Sequence, residues 1–492
     1  MRTPDTEGKS SSVTKAGFCE THVSWIFLLG DRAYKLKKPI KTPFLDFSTI
    51  EARKLACRRE VELNRRFAPD VYFGVAEVRG VDAQACDYLV VMRRMPEDRR
   101  LSALIGRGES PVQCLQEVAR AVAAIPDGPK GVDDARTGTS TSVWARWESN
   151  LREMEQFESR VLDPAVHSDI RHNAQRYLAG RGPLFEHRIL EGRVRDGHGD
   201  LLCDDIYCLP DGPRILDCID FDDELRFVDS LDDIAFLAMD LERLGVGEQA
   251  AGVLEAYREF SGDRFPESLA DHYIAYRAHV RAKVACLRHE QGSQRAAKEA
   301  GRLLEIAHGH LKRARIRLVL VGGLPGTGKS TLSKALAARN RWALLRSDEV
   351  RKEIAGADSE TPSSAGYKAG IYRPEVTEAT YKALVDRAAL LLRMGESVIL
   401  DASWTDARWR RLAEEVADQT YADLLQIQCR VNEAEALRRI ERRASAATDV
   451  SDANAAVAVR MGLEEQAWPE ALQIDTSGPE ERTLAEALRL IP

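Results

Sequence analysis

Long hydrophobic runs are missing from this chain of 492 residues. No window offers the 18 or more apolar residues that cross a bilayer, and the opening stretch MRTPDTEGKSSSVTKAG is polar, without the apolar core of a secretory leader. That pattern excludes a helical membrane protein and favours the cytoplasm. Paired cysteines are also missing: nine Cys, an odd number, are scattered from Cys19 to Cys429, which argues against a disulfide framework and for a reducing compartment. The tightest group, Cys203, Cys208 and Cys218, has no C-x-x-C spacing and reads as small buried residues rather than a zinc site. No charge of one sign dominates, since 71 Lys and Arg stand against 78 Asp and Glu. A surface built generally for nucleic acid is therefore not expected.

What is present is an ordinary globular composition, 44% hydrophobic and 30% charged, on a chain long enough for two or three domains. The residues from 312 onward hold 27 basic and 27 acidic side chains, so the net charge of -7 belongs to the upstream part. A largely helical stretch with a break at Gly292 and Ser293 precedes the apolar strand IRLVLVGG. The boundary is placed there, giving domains 1–311 and 312–492.

Immediately after that strand, Gly323, Leu324, Pro325, Gly326, Thr327, Gly328, Lys329 and Ser330 spell G-x-x-x-x-G-K-[ST], and Thr331 opens the helix TLSKALAARN. The glycines turn backbone N–H groups toward phosphate oxygens, the helix N-terminus adds its dipole, Lys329 reaches the outer phosphates and Ser330 can ligate magnesium. Asp348 follows the strand RWALLRSD and Asp401 ends SVILDAS, so two carboxylates emerge beside the phosphate loop at the ends of parallel strands. These residues resemble the small P-loop kinases that phosphorylate hydroxyl groups, among them polynucleotide kinase, gluconate kinase, chloramphenicol phosphotransferase and zeta-type toxins. The resemblance implies an α/β P-loop NTPase domain with a parallel sheet. It makes Asp348 the acceptor's proton-accepting group, Arg351 a substrate residue and Asp401 the carboxylate near magnesium. The run ALRRIERRASAATDVSDA resembles the lid, with Arg439 and Arg443 at i and i+4 facing the phosphates and Arg438 and Arg442 sharing that spacing.

Upstream, SWIFLLGDRAYKLKKP reads as two strands turning at Gly30-Asp31, followed by a helix over Thr49 to Phe67 and more strand at Ala76 to Met92. Residues 111 to 190 read as mostly helical, strand and turn signals run from Gly197 to Asp222, and helices resume after Asp229. This order suits an α+β enzyme of two lobes. In HGDLLCDDIYCLPDGPRILDCIDFDD, Asp200, Asp205 and Asp220 supply, in order, a proton acceptor for a hydroxyl and two metal carboxylates. The segment resembles the catalytic loop H-G-D-x-H-x-x-N and the I-D-F metal strand of the aminoglycoside phosphotransferase family. Leu202 replaces the second His and Asp205 the Asn, while Asp217 rivals Asp220. Asp233 resembles the residue that braces the loop.

Ala33-Tyr34-Lys35 resembles that family's A-x-K strand, with Lys37 on the same face in reserve and Glu60 as the ion-pair partner. No conspicuous glycine-rich loop precedes it. The segments ETHVSWIFLLGDRAYKLKKP, FLDFST and DDIAFLAMDLERLG resemble a bacterial branch of that family that is often fused to a P-loop kinase. The resemblance implies a protein-kinase-like, bilobal N-terminal domain and, for the whole chain, a bifunctional phosphotransferase. It would move the γ-phosphoryl of ATP, with Mg2+, to hydroxyl groups of small molecules. The competing expectation is a polynucleotide 5'-hydroxyl or toxin-like kinase whose N-terminal domain is catalytically degenerate and regulatory.

Overall fold

A computed structural model describes residues 16–21, 23–41, 45–131, 135–356, 372–446 and 455–491. The chain forms two compact units, Met1–Gly138 with Arg188–Arg264, and Thr139–His187 with Phe265–Pro492.

The first unit begins with a five-stranded antiparallel sheet in the order Gly17–Glu20, Ser24–Leu29, Arg32–Lys37, Ala85–Arg93, Tyr72–Arg79. Gly30 makes the tight turn between the second and third strands with φ +63°, where a side chain would be strained. The strand expected over Ala76 to Met92 forms the two arms of a hairpin, whose turn is closed by Gly80 N–H donating to Gln84 O at 2.9 Å. The helix Ile50–Asn64 starts where the Thr49 hydroxyl accepts from Ala52 N–H at 3.1 Å. Its Cys57 and Val61 pack on Tyr72, Tyr88 and Val90 of the sheet, and the same core takes in Tyr207 and Leu216 from the downstream loop region. That shared core places the residues around 198–220 beneath the sheet.

The rest of this unit is mainly helical, with Val112–Ala123, Ser230–Arg243 and Gly247–Ser261 around a short hairpin and a second two-stranded antiparallel sheet. The pairings are Ile206–Leu209 with Gly212–Ile215, and Val194–Asp196 with Phe227–Asp229. Against the sequence expectation, two cysteines are joined. Cys114 in the 112–123 helix and Cys208 in the 206–215 hairpin form a disulfide across a separation of 94 residues. Spacing in the sequence could not announce it, because tertiary packing alone brings the two together. The other cysteines are free.

The second unit is built on a five-stranded parallel sheet in the order Ala343–Arg346, Val398–Asp401, Arg317–Gly322, Asp423–Arg430, Leu472–Asp475. The central strand is buried along its whole length, as its near-continuous apolar sequence requires. From it the chain runs to one side of the sheet and later to the other, which opens a crevice at the strands' carboxyl ends. The helices Ser140–Met154, Pro164–Gly180, Glu267–Glu290 and Gln294–Arg313 belong to this unit too. The last two are separated at the expected Gly292-Ser293 break. These helices are tied to the sheet's surroundings: buried Arg181 donates to Thr420 O, the Ser268 hydroxyl to Gly395 O at 2.6 Å, and Arg176 to Asp423 at 3.0 Å. Among them, His272 accepts from Trp147 Nε1–H at 3.2 Å and His167 stacks on His279 at 5.8 Å.

Candidate active sites

In the parallel-sheet unit the phosphate loop leaves the central strand and enters the helix Lys329–Asn340. Gly326 and Gly328 hold φ of +85° and +83°. A Cβ at Gly326 would lie 2.5 Å from Ala436 O, so the loop lies directly against the helix Glu433–Ala446. The Thr327 hydroxyl donates to Leu324 O at 2.8 Å, and the Thr476 hydroxyl donates to Thr327 O at 2.6 Å. The loop is thus shaped from inside and pinned from outside.

Lys329, Ser330 and Thr331 line a cavity of about 670 Å³ together with Arg439 and Arg442. Arg439 is aimed by Glu435 at 2.8 Å and by Thr476 O at 2.9 Å. Arg438 pairs with Glu435 and is largely exposed. The side chain of Arg443 and residues 447–454 of the expected lid lie outside the described residues. Among the described residues, the arginines brought to the cavity are 439 and 442, at i and i+3.

Lys329 also lines a second cavity, of about 640 Å³, with Asp348 and Arg351. Asp348 sits in the first turn of the helix Ser347–Ala355. Arg351 donates to the Thr377 hydroxyl at 3.0 Å and lies 4.9 Å over the Tyr372 ring. Asp401, 3% exposed, pairs in register with Val321 and Arg346 on its two neighbouring strands. Its Oδ2 accepts from Arg346 Nε at 3.2 Å, while its buried Oδ1 has no hydrogen-bond partner among the described residues. An orphaned carboxylate oxygen beside a phosphate loop fits a divalent cation shared with Ser330.

In the first unit, strand periodicity points Lys35 and Lys37 the same way, and both reach Glu60 at 2.9 Å, one on each carboxylate oxygen. Lys35 also bonds Asp217 at 2.6 Å and Lys37 bonds Asp220 at 2.8 Å. Burial opposes charge on Lys35, Lys37 and Glu60, yet the two ammonium groups hold Glu60 down to about 2, and the carboxylates hold Lys35 well above its ordinary range. Burial, with the charges of Asp217 and Asp200, pushes the Asp205 carboxyl well above the usual range, against the weaker pull of Arg100. Burial likewise raises Asp220, against the pull of Lys37. The structure thus sets Asp205 among the charges of Asp217 and Asp200, while Asp220 is engaged by Lys37. Asp217 holds a left-handed φ of +60°.

The loop carrying Asp200 is held from below. Buried Asp233 accepts from His198 N–H at 2.7 Å and Gly199 N–H at 2.8 Å, and His198 Nε2 bonds Leu216 O at 2.9 Å. Burial lowers the His198 imidazole to about 4, so it is neutral at physiological pH. One face of the 230–243 helix supplies a second brace seven residues on, Asp240, which accepts from Cys203 N–H at 3.0 Å. From the end of the 50–64 helix, Asn64 accepts from Cys218 N–H at 2.9 Å, and Arg66 donates to Asp196 O and Gly197 O at 2.9 and 3.0 Å. Sequence reasoning missed Asp240, Asn64, Arg66, Arg346 and Thr476. Arg346 alone carried a signal, standing at a strand end two residues before Asp348.

The chain thus has two parts, a unit with a lysine–glutamate pair and a braced aspartate loop, and a P-loop unit with two cavities that share its lysine. Residues 318–462 match the AAA domain family. The chain belongs to the family of the Mycobacterium tuberculosis H37Rv protein named Uncharacterized protein Rv2004c, to which it is 39% identical over 472 residues, 96% of this chain and 94% of that one. Solved structures similar to parts of it include a choline/ethanolamine kinase family protein from Mesorhizobium loti, 13% identical over 61% of this chain and 92% of that one, TM-score 0.37. Another is the APS kinase CysC of Mycobacterium tuberculosis, 18% identical over 36% and 98%, TM-score 0.28.

Proposed function

We propose that the chain is a Mg-dependent phosphotransferase with two sites, each moving the γ-phosphoryl of ATP to a hydroxyl group of a small molecule. The observation that carries this reading is the position of Lys329, which lines both cavities of the P-loop unit. Nucleotide on the side of Thr331, Arg439 and Arg442 and acceptor on the side of Asp348 would meet at its ammonium group. Arg439 and Arg442 would balance charge on the transferred group, and Asp348 would take the acceptor's proton. Magnesium, held by Ser330 and Asp401, would supply further neutralisation of the phosphate oxygens when bound. In the kinase-like unit, Lys35 aligned by Glu60 would hold the phosphates and Asp200 would orient the acceptor.

A second reading keeps the kinase-like unit as a regulatory nucleotide binder. Its support is that Lys35 and Lys37 are both engaged by carboxylates, so phosphates would have to displace Asp217 or Asp220. Two variants of the full chain separate these readings, assayed by mass spectrometry for the phosphorylated products formed from ATP and a mixture of small hydroxyl compounds. Under the two-site reading Lys329→Ala and Asp200→Asn each remove a distinct product, by about a hundredfold or more. If Asp200→Asn leaves every product unchanged, the regulatory reading replaces it.

A further inference from the structure

The disulfide of the first unit ends on the same hairpin that leads to its charged site. Cys208 lies in the first arm, Ile206–Leu209, and is bonded to Cys114 of the 112–123 helix. Asp217 follows the second arm, Gly212–Ile215, and closes on Lys35 at 2.6 Å. Lys35 is the lysine to which the phosphotransferase reading gives the phosphates, so a phosphate has to displace the Asp217 carboxylate. Glu60 differs from Asp217: it aligns Lys35 from a buried position, 2% exposed, whereas the Asp217 side chain is 52% exposed and has water to move into.

The contact between Asp217 and Lys35 is imposed by its surroundings. The Asp217 backbone lies in the left-handed region at φ +60°, which neighbouring structure has to hold in place for a residue with a side chain. On one side Cys218 N–H donates to Asn64 at 2.9 Å, and on the other Leu216 N–H donates to Asp205 O at 2.9 Å, at the foot of the hairpin. The hairpin in turn is held by Arg99, which donates to Cys208 O at 2.9 Å, by Arg100, which donates to the Tyr207 hydroxyl at 2.6 Å, and by the disulfide. Of these three ties the disulfide alone is covalent. The chain beside it, Gln113 next to one cysteine and Pro210 and Asp211 close after the other, is exposed to a dissolved reductant.

We propose that the Cys114–Cys208 disulfide is a redox gate on the nucleotide site of the first unit: while it is closed the hairpin keeps Asp217 on Lys35, and its reduction by a dithiol frees the hairpin so that Asp217 yields Lys35 to phosphate. One thiolate of the reductant attacks a sulfur of the pair to form a mixed disulfide, and the reductant's second thiol then closes its own disulfide. Two electrons and two protons end on Cys114 and Cys208 as thiols. The gate rests on the reading of this unit as a nucleotide site.

The test is calorimetric titration of a non-hydrolysable ATP analogue with Mg2+ into the full chain carrying Lys329→Ala, which weakens the P-loop site so that binding to the first unit is resolved. The chain with its disulfide intact should bind about tenfold more weakly than the chain reduced with dithiothreitol, the thiol state being read by mass after alkylation. Asp217→Gly, which removes the carboxylate and suits the left-handed backbone, should bind as tightly as the reduced chain in both thiol states, a result that general loosening of the fold does not give. Cys114→Ser should match the reduced chain and ignore dithiothreitol. Equal affinity in the two thiol states, or an Asp217→Gly variant that stays sensitive to the reductant, overturns the gate. No binding by any form, Asp217→Gly included, overturns the nucleotide reading of this unit and the gate with it.

Discussion

Removing the Asp233 carboxylate would leave the buried amides of His198 and Gly199 without acceptors. Each orphaned donor costs about 1–3 kcal/mol. Asp233→Ala should therefore lower unfolding free energy by about 2–6 kcal/mol in denaturant titrations, and Asp233→Asn, which keeps one acceptor, by clearly less. The buried histidines of the second unit give a pH prediction. Burial lowers His272 and His279 to about 3, below the ~6.5 of an unfolded chain. Their contribution to stability is complete above about pH 6.5 and is lost as pH falls from there toward 3, at about 1.4 kcal/mol per pH unit for each. Trp147, which touches both rings, reports it. Its fluorescence-monitored melting temperature should drop through this window, and His279→Phe should flatten the slope.

At this scale the sequence was most readable where chemistry lies in contiguous residues. Gly323 to Ser330 and His198 to Asp200 each announce themselves because a loop that turns around a phosphate or presents a carboxylate is short. Arg346, Asn64 and Asp240 did not. Their partners Asp401, Cys218 and Cys203 stand tens to more than a hundred residues away, so only the fold reveals the pairing.

Among the elements, the hairpin Ile206–Leu209 with Gly212–Ile215 separates Asp205 from Asp217 and Asp220, and the Cys114–Cys208 disulfide ties it to the 112–123 helix. Closing a loop of that length restricts the unfolded chain by about 4–5 kcal/mol. Treatment with dithiothreitol should lower the unfolding midpoint accordingly, and Cys114→Ser should melt lower under oxidising conditions while losing all sensitivity to the reductant. Helix and strand types were legible from periodicity, including the 50–64 helix and the strand carrying Lys35. The hairpin inside 72–93 was not, because its turn, Gly80 to Gln84, contains no proline and no Asn-Gly pair.

For the whole molecule, the change of pattern near residue 312 marks where the parallel sheet begins, and packing adds something that pattern does not carry. Arg181, Ser268 and Arg176, all upstream of that point, bond Thr420 O, Gly395 O and Asp423 of the sheet region. A fragment of residues 312–492 should therefore melt well below the full chain and bind a hydrophobic dye, as calorimetry and ANS fluorescence would record. Equal melting would mean that the four helices add nothing to the sheet.

The two units are also interleaved along the chain, one taking Met1–Gly138 and Arg188–Arg264, the other Thr139–His187 and all that follows Phe265. No single cut of the backbone releases either one entire. On the ribosome, the helices of 139–187 emerge and must wait while Arg188–Arg264 is made, several seconds at about 5–20 residues per second, before their partners exist. The order of synthesis thus lets the kinase-like unit close first and leaves the P-loop unit to assemble around helices that were translated before it.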